Sequence, residues 1–412
     1  MSPLTEEKQT IKAMIADGRS RGVGYFYLED ERFTGRTIRM AGRDVLNFGN
    51  CSYLGLEIHP DVKQGVIDAA ERHGSLLSNS RSYFSSRLYR ELEQHLALIF
   101  PGFQVVSTTT TLGHCSVLPL MIEAGDAIIL DQYAHNSLRM AAMLCKANGT
   151  ELVTCRHNDM NHLLQVFRRQ HGKGARNVWY VGDGVYSMQG NKLNIAELLA
   201  LLNEHERLFA YIDDAHGMSW TGAKGAGFIL GHYGIHPKMI VAISMCKSFA
   251  AFGGVIIFPD AEWADLVRLL GQSLIFSAPI PPPILGAAIA SAKIHLSDML
   301  PQYQDELLER IVRFREGCMQ KGIPLGTRDV TPIQFIEVGD NRAVYALLEK
   351  LIESGIFVTA AIYPAMPKKH GGIRVNITRH LSFEDIDYLV DRIRVVAVDQ
   401  YRFVTEHGQK ID

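Results

Sequence analysis

Short apolar runs alternate with helical patterns from about residue 60 onward. Ala127–Asp131, Val178–Asp183, Leu208–Asp213, Met239–Ser244 and Val255–Phe258 are five such runs, each the length of a buried strand. The segments between them are long enough for crossover helices in at least three of the four gaps. That rhythm predicts an α/β fold with a mostly parallel central sheet and helices on both faces. The last gap holds Lys247 and is short, as between antiparallel neighbours.

The flanking regions read differently. Asn47–Leu56 is loop-rich, and Ser277–Pro283 interrupts the strand rhythm before a long helical stretch from Leu285. Beyond it come strand-like Ile333–Val338, helix-like Arg342–Ser354, strand-like Phe357–Ala360 and Ile373–Ile377, and a helix opening near Ser382. This is the pattern of a compact α+β lobe. The expected division is an N-terminal segment over residues 1–45, a large domain over 46–290 and a small C-terminal α+β domain over 291–412. No internal repeat or low-complexity block interrupts it.

Composition narrows the functional class. The 412 residues carry a formal net charge of −2, and the sequence pI of about 6.8 argues against nucleic acid as a partner. No apolar stretch reaches the ~20 residues of a membrane span. Met1–Thr10 is polar and charged without a secretory core, so a cytoplasmic location is expected. Cys51, Cys115, Cys145, Cys155, Cys246 and Cys318 are scattered without CxxC spacing. Reduced thiols suit that pattern better than disulfides or a zinc site, and no metal is expected.

Chemistry gathers where the strands end. In a parallel sheet, ligands settle outside the carboxyl edge. His135 follows the first run, Asp183 and Ser187 the second, Asp213 and His216 the third, Ser244 and Lys247 the fourth. An acid at one strand end and a lysine beyond the next is what pyridoxal phosphate (PLP) needs. The amine forms a Schiff base with the aldehyde, and the carboxylate pairs with the pyridine nitrogen so that the ring withdraws electrons. A phosphate site is also readable. Thr109, Thr110 and Thr111 precede an apolar helical pattern, and hydroxyls with unpaired N–H groups at a helix start bind anions.

Each of these residues also has a plainer reading. A lysine in a loop is usually solvated, a strand-end acid usually caps a helix or satisfies a loop, and a single histidine is usually packed. The threonine run alone fits a simple helix cap. Gly222–Gly227 lacks the GxxxxGK[ST] spacing of a nucleotide loop and reads as a turn-rich connection. What separates Lys247 from an ordinary loop lysine is its place between an apolar strand and Phe249–Gly254, downstream of Asp213.

From about Asn47 to Arg394 the chain resembles the α-oxoamine synthase family of fold type I PLP enzymes. The likeness rests on Tyr53–Leu56, Asp183–Gly190, Asp213–Gly217, Ser277–Pro282, and Val358–Ala360 with Arg374. It implies that Lys247 holds PLP, that Asp213 pairs with the pyridinium nitrogen and that His135 stacks on the ring. His216 and Ser187 would lie near the phenolic oxygen, and Ser244 and the Thr109–Thr111 loop near the phosphate. Arg374 would grip the substrate carboxylate, with Asn50 on the substrate side. Departures fall around the phosphate and substrate pockets. Threonines replace a Ser-Gly-aromatic run, Cys51 stands where the family has Asn with Asn50 one place off, and Tyr89 stands where a histidine is common.

The implied activity is condensation of an L-amino acid with an acyl thioester, carried on CoA or an acyl carrier protein, with loss of carbon dioxide. The implied assembly is a homodimer with shared sites, in which Ser277 and Ala278 reach the partner's cofactor phosphate. The same fold also serves aminotransferases and carbon–carbon lyases. A non-catalytic scaffold is disfavoured, because Lys247, Asp213, His216 and Arg374 are all present.

Overall fold

The computed structural model describes residues 5–400. Its strands, in chain order, begin with β1 (Thr37–Met40), β2 (Arg43–Asn47), β3 (Phe103–Ser107), β4 (Ala127–Asp131), β5 (Glu151–Cys155), β6 (Val178–Asp183) and β7 (Leu208–Asp213). They continue with β8 (Met239–Ser244), β9 (Gly254–Phe258), β10 (Ile333–Gly339), β11 (Ile356–Phe357), β12 (Thr359–Ala361) and β13 (Gly371–Asn376).

Strands β3 to β9 form one seven-stranded sheet in the order β3-β9-β8-β7-β6-β4-β5. The strands from β5 through β8 pair in parallel, and β9 runs antiparallel to both β8 and β3. The mostly parallel sheet expected from the apolar runs is therefore present, including the antiparallel return after Lys247. Every residue of β4, β6, β8 and β9 is buried. Helices cover both faces, so these strands need no polar alternation. Leu130, Val181, Ile240 and Ile256 pack with Val117, Leu138 and Val267 of the covering helices. Burying each such side chain contributes about 1.5–3 kcal/mol, which confines polar residues to the strand ends.

Two strands of this sheet escape the sequence reading, and both are edges. β5 is only partly buried along most of its length and never presents an apolar run. β3 interleaves Gln104, buried by hydrogen bonds from its Nε2 to the carbonyls of Phe100 and Gly102.

The chain divides into two compact units, and the division is not the linear one expected. One unit comprises Leu56–Tyr186 and Lys192–Gln304 and holds the large sheet. The other combines the chain up to Gly55, the short segment Ser187–Asn191 and the chain from Asp305 onward. The expected boundaries at residues 45/46 and 290/291 are thus corrected. The physical reason is pairing: β2 is the middle strand of the small sheet β1-β2-β11, parallel to β11. The N-terminal segment is an integral part of the C-terminal lobe. Ser187–Asn191 joins it because the Thr331 hydroxyl donates to the Gly190 carbonyl at 2.8 Å and Met188 packs on Phe335, Ala361 and Met366.

The run Phe357–Ala360, expected as one strand, is two. β11 pairs with β2, whereas β12 pairs with β13 in the antiparallel sheet β10-β13-β12. The chain changes sheets at Val358, and an uninterrupted apolar run conceals that change.

Candidate active site

The carboxyl ends of β6, β7 and β8 open on a cavity of about 150 Å³. It is lined by Thr109, Thr110, Thr111, His135, Asp213, His216, Ser244 and Lys247, all expected from the sequence, and by Ser137, Asp183, Ala215 and Cys246. A larger depression of about 420 Å³ lies among the helices Pro60–His73, Arg87–Ile99 and Pro282–His295. Its charges are spread over surface helices, and two of them, Lys293 and Glu91, pair with each other at 3.5 Å. The smaller cavity holds the convergent chemistry.

Lys247 sits in the tight return between β8 and β9. The Met245 amide donates to the Gly253 carbonyl at 3.0 Å and the Ala250 amide to the Lys247 carbonyl at 2.9 Å. Ala250 adopts a left-handed φ of 58° within this turn. The Ser244 hydroxyl accepts from the Cys246 amide at 3.3 Å. This hydrogen-bonded loop holds the lysine backbone at the cavity wall, and the ammonium's charge acts on Asp183, Asp213 and His135.

Asp213 ends β7 almost fully buried. Its Oδ1 accepts from the Ala215 amide at 3.0 Å and its Oδ2 from His114 Nε2 at 3.0 Å. Burial alone would raise its pKa, but the His114 imidazole, Lys247 and His135 outweigh burial and hold it below the ordinary carboxylate value. Asp183, its lateral neighbour in register on β6, moves the other way. Burial and the Asp213 charge push it well up. Two adjacent strand-end carboxyls are thereby split, with the negative charge on Asp213.

His135 caps the helix Asn136–Ala147. Its Nδ1 accepts from the Ser137 amide at 3.3 Å and lies 2.7 Å from the Ser137 hydroxyl, while its own amide donates to Asp183 Oδ1 at 3.0 Å. Burial, helped by the neighbouring Lys247 charge, lowers its pKa despite Asp213. The ring is therefore neutral near pH 7.

The helix Thr110–Met121 begins at the cavity. Thr109 is its N-cap, accepting from the Leu112 amide at 3.1 Å, so the plain capping role weighed from the sequence is filled. The helix start still presents the amides of Thr110 and Thr111, which have no carbonyl one turn back to bond. Thr110 Oγ1 donates to the Ile243 carbonyl at 3.2 Å, tying the helix start to β8. Gly254 makes that approach possible, because a Cβ there would lie 2.7 Å from the Thr110 backbone.

Ser277 and Ala278 do not line this cavity. The Ser277 hydroxyl donates to the Ser273 carbonyl at 2.6 Å, and the Ala278 carbonyl accepts from the Thr108 hydroxyl at 2.9 Å. Tyr89 secures the same segment by accepting from the Ile280 amide at 2.6 Å.

Ser187, Asn50 and Arg374 belong to the other unit. Arg374 lies on β13, 6% exposed, with its guanidinium 3.5 and 3.6 Å from Cys51 Sγ. Burial opposes its charge, yet Cys51 and Tyr53 hold its pKa up. Its Nε has no hydrogen-bond partner among the described residues. A buried guanidinium with an unpaired N–H is suited to receive an anion. Asn50 Oδ1 accepts from the Ser52 amide at 2.9 Å and shapes the loop beside Cys51. Ser187 is partly buried in its short segment.

The residues fit PLP feature by feature. An amine is available to the aldehyde, and a buried ionised carboxylate with spare acceptor capacity to the ring nitrogen. A neutral imidazole suits the ring face, and a hydroxyl-bearing helix start suits the phosphate. Ser137, Ala215 and Cys246 escaped the sequence reading because each is a neighbour of a residue that was read. His114 escaped because it lies inside a helix, 99 residues from Asp213.

An α/β sheet with a lysine and a carboxylate at adjoining strand ends defines a Schiff-base enzyme of the aminotransferase type. The chain belongs to the aminotransferase class I and II family, whose pattern it matches over residues 43–393, and within it to the α-oxoamine synthases. It is 30% identical to the 8-amino-7-oxononanoate synthase of Alkaliphilus metalliredigens, over 87% of this chain and 89% of that one. It is 25% identical to the serine palmitoyltransferase of Sphingobacterium spiritivorum, over 92% and 93%. Among solved structures, a serine palmitoyltransferase from S. paucimobilis with a bound PLP–myriocin aldimine superposes with a TM-score of 0.87 at 22% identity, over 96% of this chain and 99% of that one. An 8-amino-7-oxononanoate synthase from Francisella tularensis gives 0.71 at 21% identity, over 86% and 98%.

Proposed function

We propose that this protein is a PLP-dependent acyltransferase that condenses an L-amino acid with an acyl thioester. The observation that carries the reading is the opening of Lys247 and ionised Asp213 onto one cavity that the start of the helix Thr110–Met121 also lines. In balanced form, an amino acid and an acyl thioester give an α-amino ketone, carbon dioxide and the free thiol carrier. PLP supplies an electron-withdrawing ring that accepts the electron pair left when a bond at the amino acid's α-carbon breaks.

The chain's own residues divide the remaining work. Lys247 would hold the cofactor's aldehyde, and its amine, once free, would accept the proton from the substrate's α-carbon. Asp213 keeps a proton on the ring nitrogen. His135, neutral and oriented by Ser137, offers a flat face to the ring, and His216 and Ser187 donate near the phenolic oxygen. Thr110, Thr111 and Ser244 hold the phosphate, with Thr109 capping the helix that presents it. Arg374 takes the substrate carboxylate and sets which bond at the α-carbon lies perpendicular to the ring, an orientation effect. Asn50 and Cys51 shape that carboxylate pocket.

The active unit in this reading is a cytoplasmic homodimer. Phe276 is 85% exposed and Tyr83 is 83% exposed, and the Ser80 hydroxyl donates to the Ile275 carbonyl at 2.6 Å. Phe276 adjoins Ser277 in sequence, and so exposed an aromatic side chain there fits a pair of chains meeting where each reaches the other's phosphate. All six cysteines are free, in keeping with a reducing compartment. No helix among the described residues is long and apolar enough to cross a membrane.

The deciding experiment measures carbon dioxide release from carboxyl-labelled amino acids with and without acyl thioesters on CoA and on an acyl carrier protein. Release that requires both substrates is expected. Release without thioester would make the protein a decarboxylase. No release, with amino transfer to a keto acid instead, would make it an aminotransferase.

A further inference from the structure

Behind Asp213 stands a second layer that the proposed chemistry has not used. His114 is wholly buried in the helix Thr110–Met121, its Nε2 on Asp213 Oδ2 at 3.0 Å and its Nδ1 on the Tyr211 hydroxyl at 2.8 Å. Tyr211 lies two residues before Asp213 on β7 and is also fully buried. The two rings meet edge to face at 5.5 Å, so neither can turn without repacking the other. Burial pushes the Tyr211 phenol well above its usual pKa, and it remains an O–H donor. With that O–H donating to Nδ1, the ring takes the tautomer that donates Nε2–H to Asp213.

We propose that Tyr211 and His114 form a buried positioning relay that fixes the orientation and charge of Asp213, and so sets how firmly a bound PLP keeps its ring nitrogen protonated. This rests on the reading of Asp213 as the partner of that nitrogen. His114 and Tyr211 do not line the cavity, so neither meets the substrate, and both act through Asp213. A carboxylate that accepts from His114 on Oδ2 and from the Ala215 amide on Oδ1 cannot rotate, yet each oxygen keeps a lone pair for the ring. The other titratable groups facing Asp213 are Asp183 from β6, His135 from the capped helix, and Lys247 from the β8–β9 return. Cys115 lies beside Tyr211. Of the titratable side chains around Asp213, only His114 is hydrogen-bonded to the carboxylate.

The test uses the PLP-loaded enzyme and two readouts besides turnover: the PLP dissociation constant and the pH midpoint of the visible absorption of the Lys247–PLP adduct. Tyr211→Phe removes one hydroxyl at constant ring volume. His114→Leu removes the donor, and His114→Gln keeps an N–H that can reach Asp213. A less firmly ionised Asp213 leaves the ring nitrogen less positive, which strengthens the proton on the Schiff-base nitrogen. The midpoint should therefore rise, by roughly one pH unit in His114→Leu and by less in Tyr211→Phe. PLP affinity should fall about tenfold or more in the leucine variant and be largely restored by glutamine. An unchanged midpoint and affinity in Tyr211→Phe, with only a lower melting temperature, or a glutamine variant as impaired as the leucine one, would overturn the relay, and the first holds even where the leucine variant fails to fold. Absence of any Lys247-dependent absorption in the unsubstituted protein would instead overturn the PLP reading itself.

Discussion

At the scale of single residues, the site is a set of charges whose signs the fold decides. Lys247 and Asp213 are the pair on which everything else turns, and their removal separates binding from chemistry. Lys247→Ala should lose the visible covalent adduct and turnover, while PLP still associates through the helix start and Asp213. An alanine variant with full activity would end the Schiff-base account. Asp213→Asn keeps the shape and removes the charge, so the adduct should form while α-proton exchange with solvent slows about 10²–10³-fold, the usual scale for a lost electrostatic contact. Equal exchange rates would mean that the ring nitrogen needs no anion. These two residues were legible in the sequence because buried strands tolerate few polar groups, so an acid or lysine just after an apolar run is conspicuous. His114 was not. It follows four threonines at the start of a helix whose apolar residues run all round, and no local pattern tells a buried histidine from a solvated one. Only the long-range approach of that helix to β7 gives it a partner.

At the scale of elements, the cofactor's expected phosphate site depends on how closely one helix lies on one strand. Glycine at 254 permits that contact. A methyl group there would meet Thr110 N and Cα at 2.7 Å, and backbone cannot yield as a flexible side chain can. Gly254→Ala should displace the start of the helix and weaken PLP binding more than it weakens the fold, with overpacking costs of about 1–3 kcal/mol in stability. Equilibrium dialysis beside thermal unfolding separates the two, and unchanged PLP affinity would move the phosphate elsewhere. Thr109→Ala makes a milder comparison, because losing an N-cap costs about 0.5–2 kcal/mol and leaves the backbone amides in place. The central strands were legible because they are buried on both faces. The edge strand β5 and the divided β11 and β12 were not, because partial burial removes the apolar run in one and a change of sheet within an apolar run hides the break in the other.

At the scale of the whole molecule, long-range assembly is what the sequence conceals. Nothing near residue 45 announces that β2 will pair in parallel with β11, about three hundred residues later, so the linear division into segments missed the composite lobe. The same burial that unites distant segments also traps ionisable groups, and two of these in the larger unit give opposite pH dependences. Asp214 Oδ2 accepts from the Ile229 amide at 2.9 Å, and its Oδ1 has no hydrogen-bond partner among the described residues. Gly184, Gly217 and Gly227 crowd the carboxyl so closely that a Cβ on Gly217 would lie 2.0 Å from Oδ1. Burial, aided by the Asp213 charge and opposed by Lys192, raises its pKa from 3.8 to about 8. His295 donates Nδ1–H to the Ser291 carbonyl and accepts from the Ser219 hydroxyl, each at 2.8 Å, and burial lowers its pKa from 6.5 to about 4.

Between pH 3.8 and 8 the folded chain keeps a proton on Asp214 that the unfolded chain has lost, so stability from this group falls as pH rises. Between pH 4 and 6.5 the unfolded chain binds a proton on His295 that the folded chain refuses, so stability from that group rises with pH. The two slopes oppose one another up to pH 6.5, above which Asp214 acts without that counterweight. Asp214→Asn should therefore remove a decline on the order of 2 kcal/mol between pH 6.5 and 8 and expose a loss of stability on acidification below pH 6.5. Urea unfolding of both proteins across pH 4–8.5 reads this directly. Parallel curves for the two would mean that the Asp214 carboxyl ionises in the folded protein as freely as in the unfolded chain, and that its glycine-walled pocket admits water.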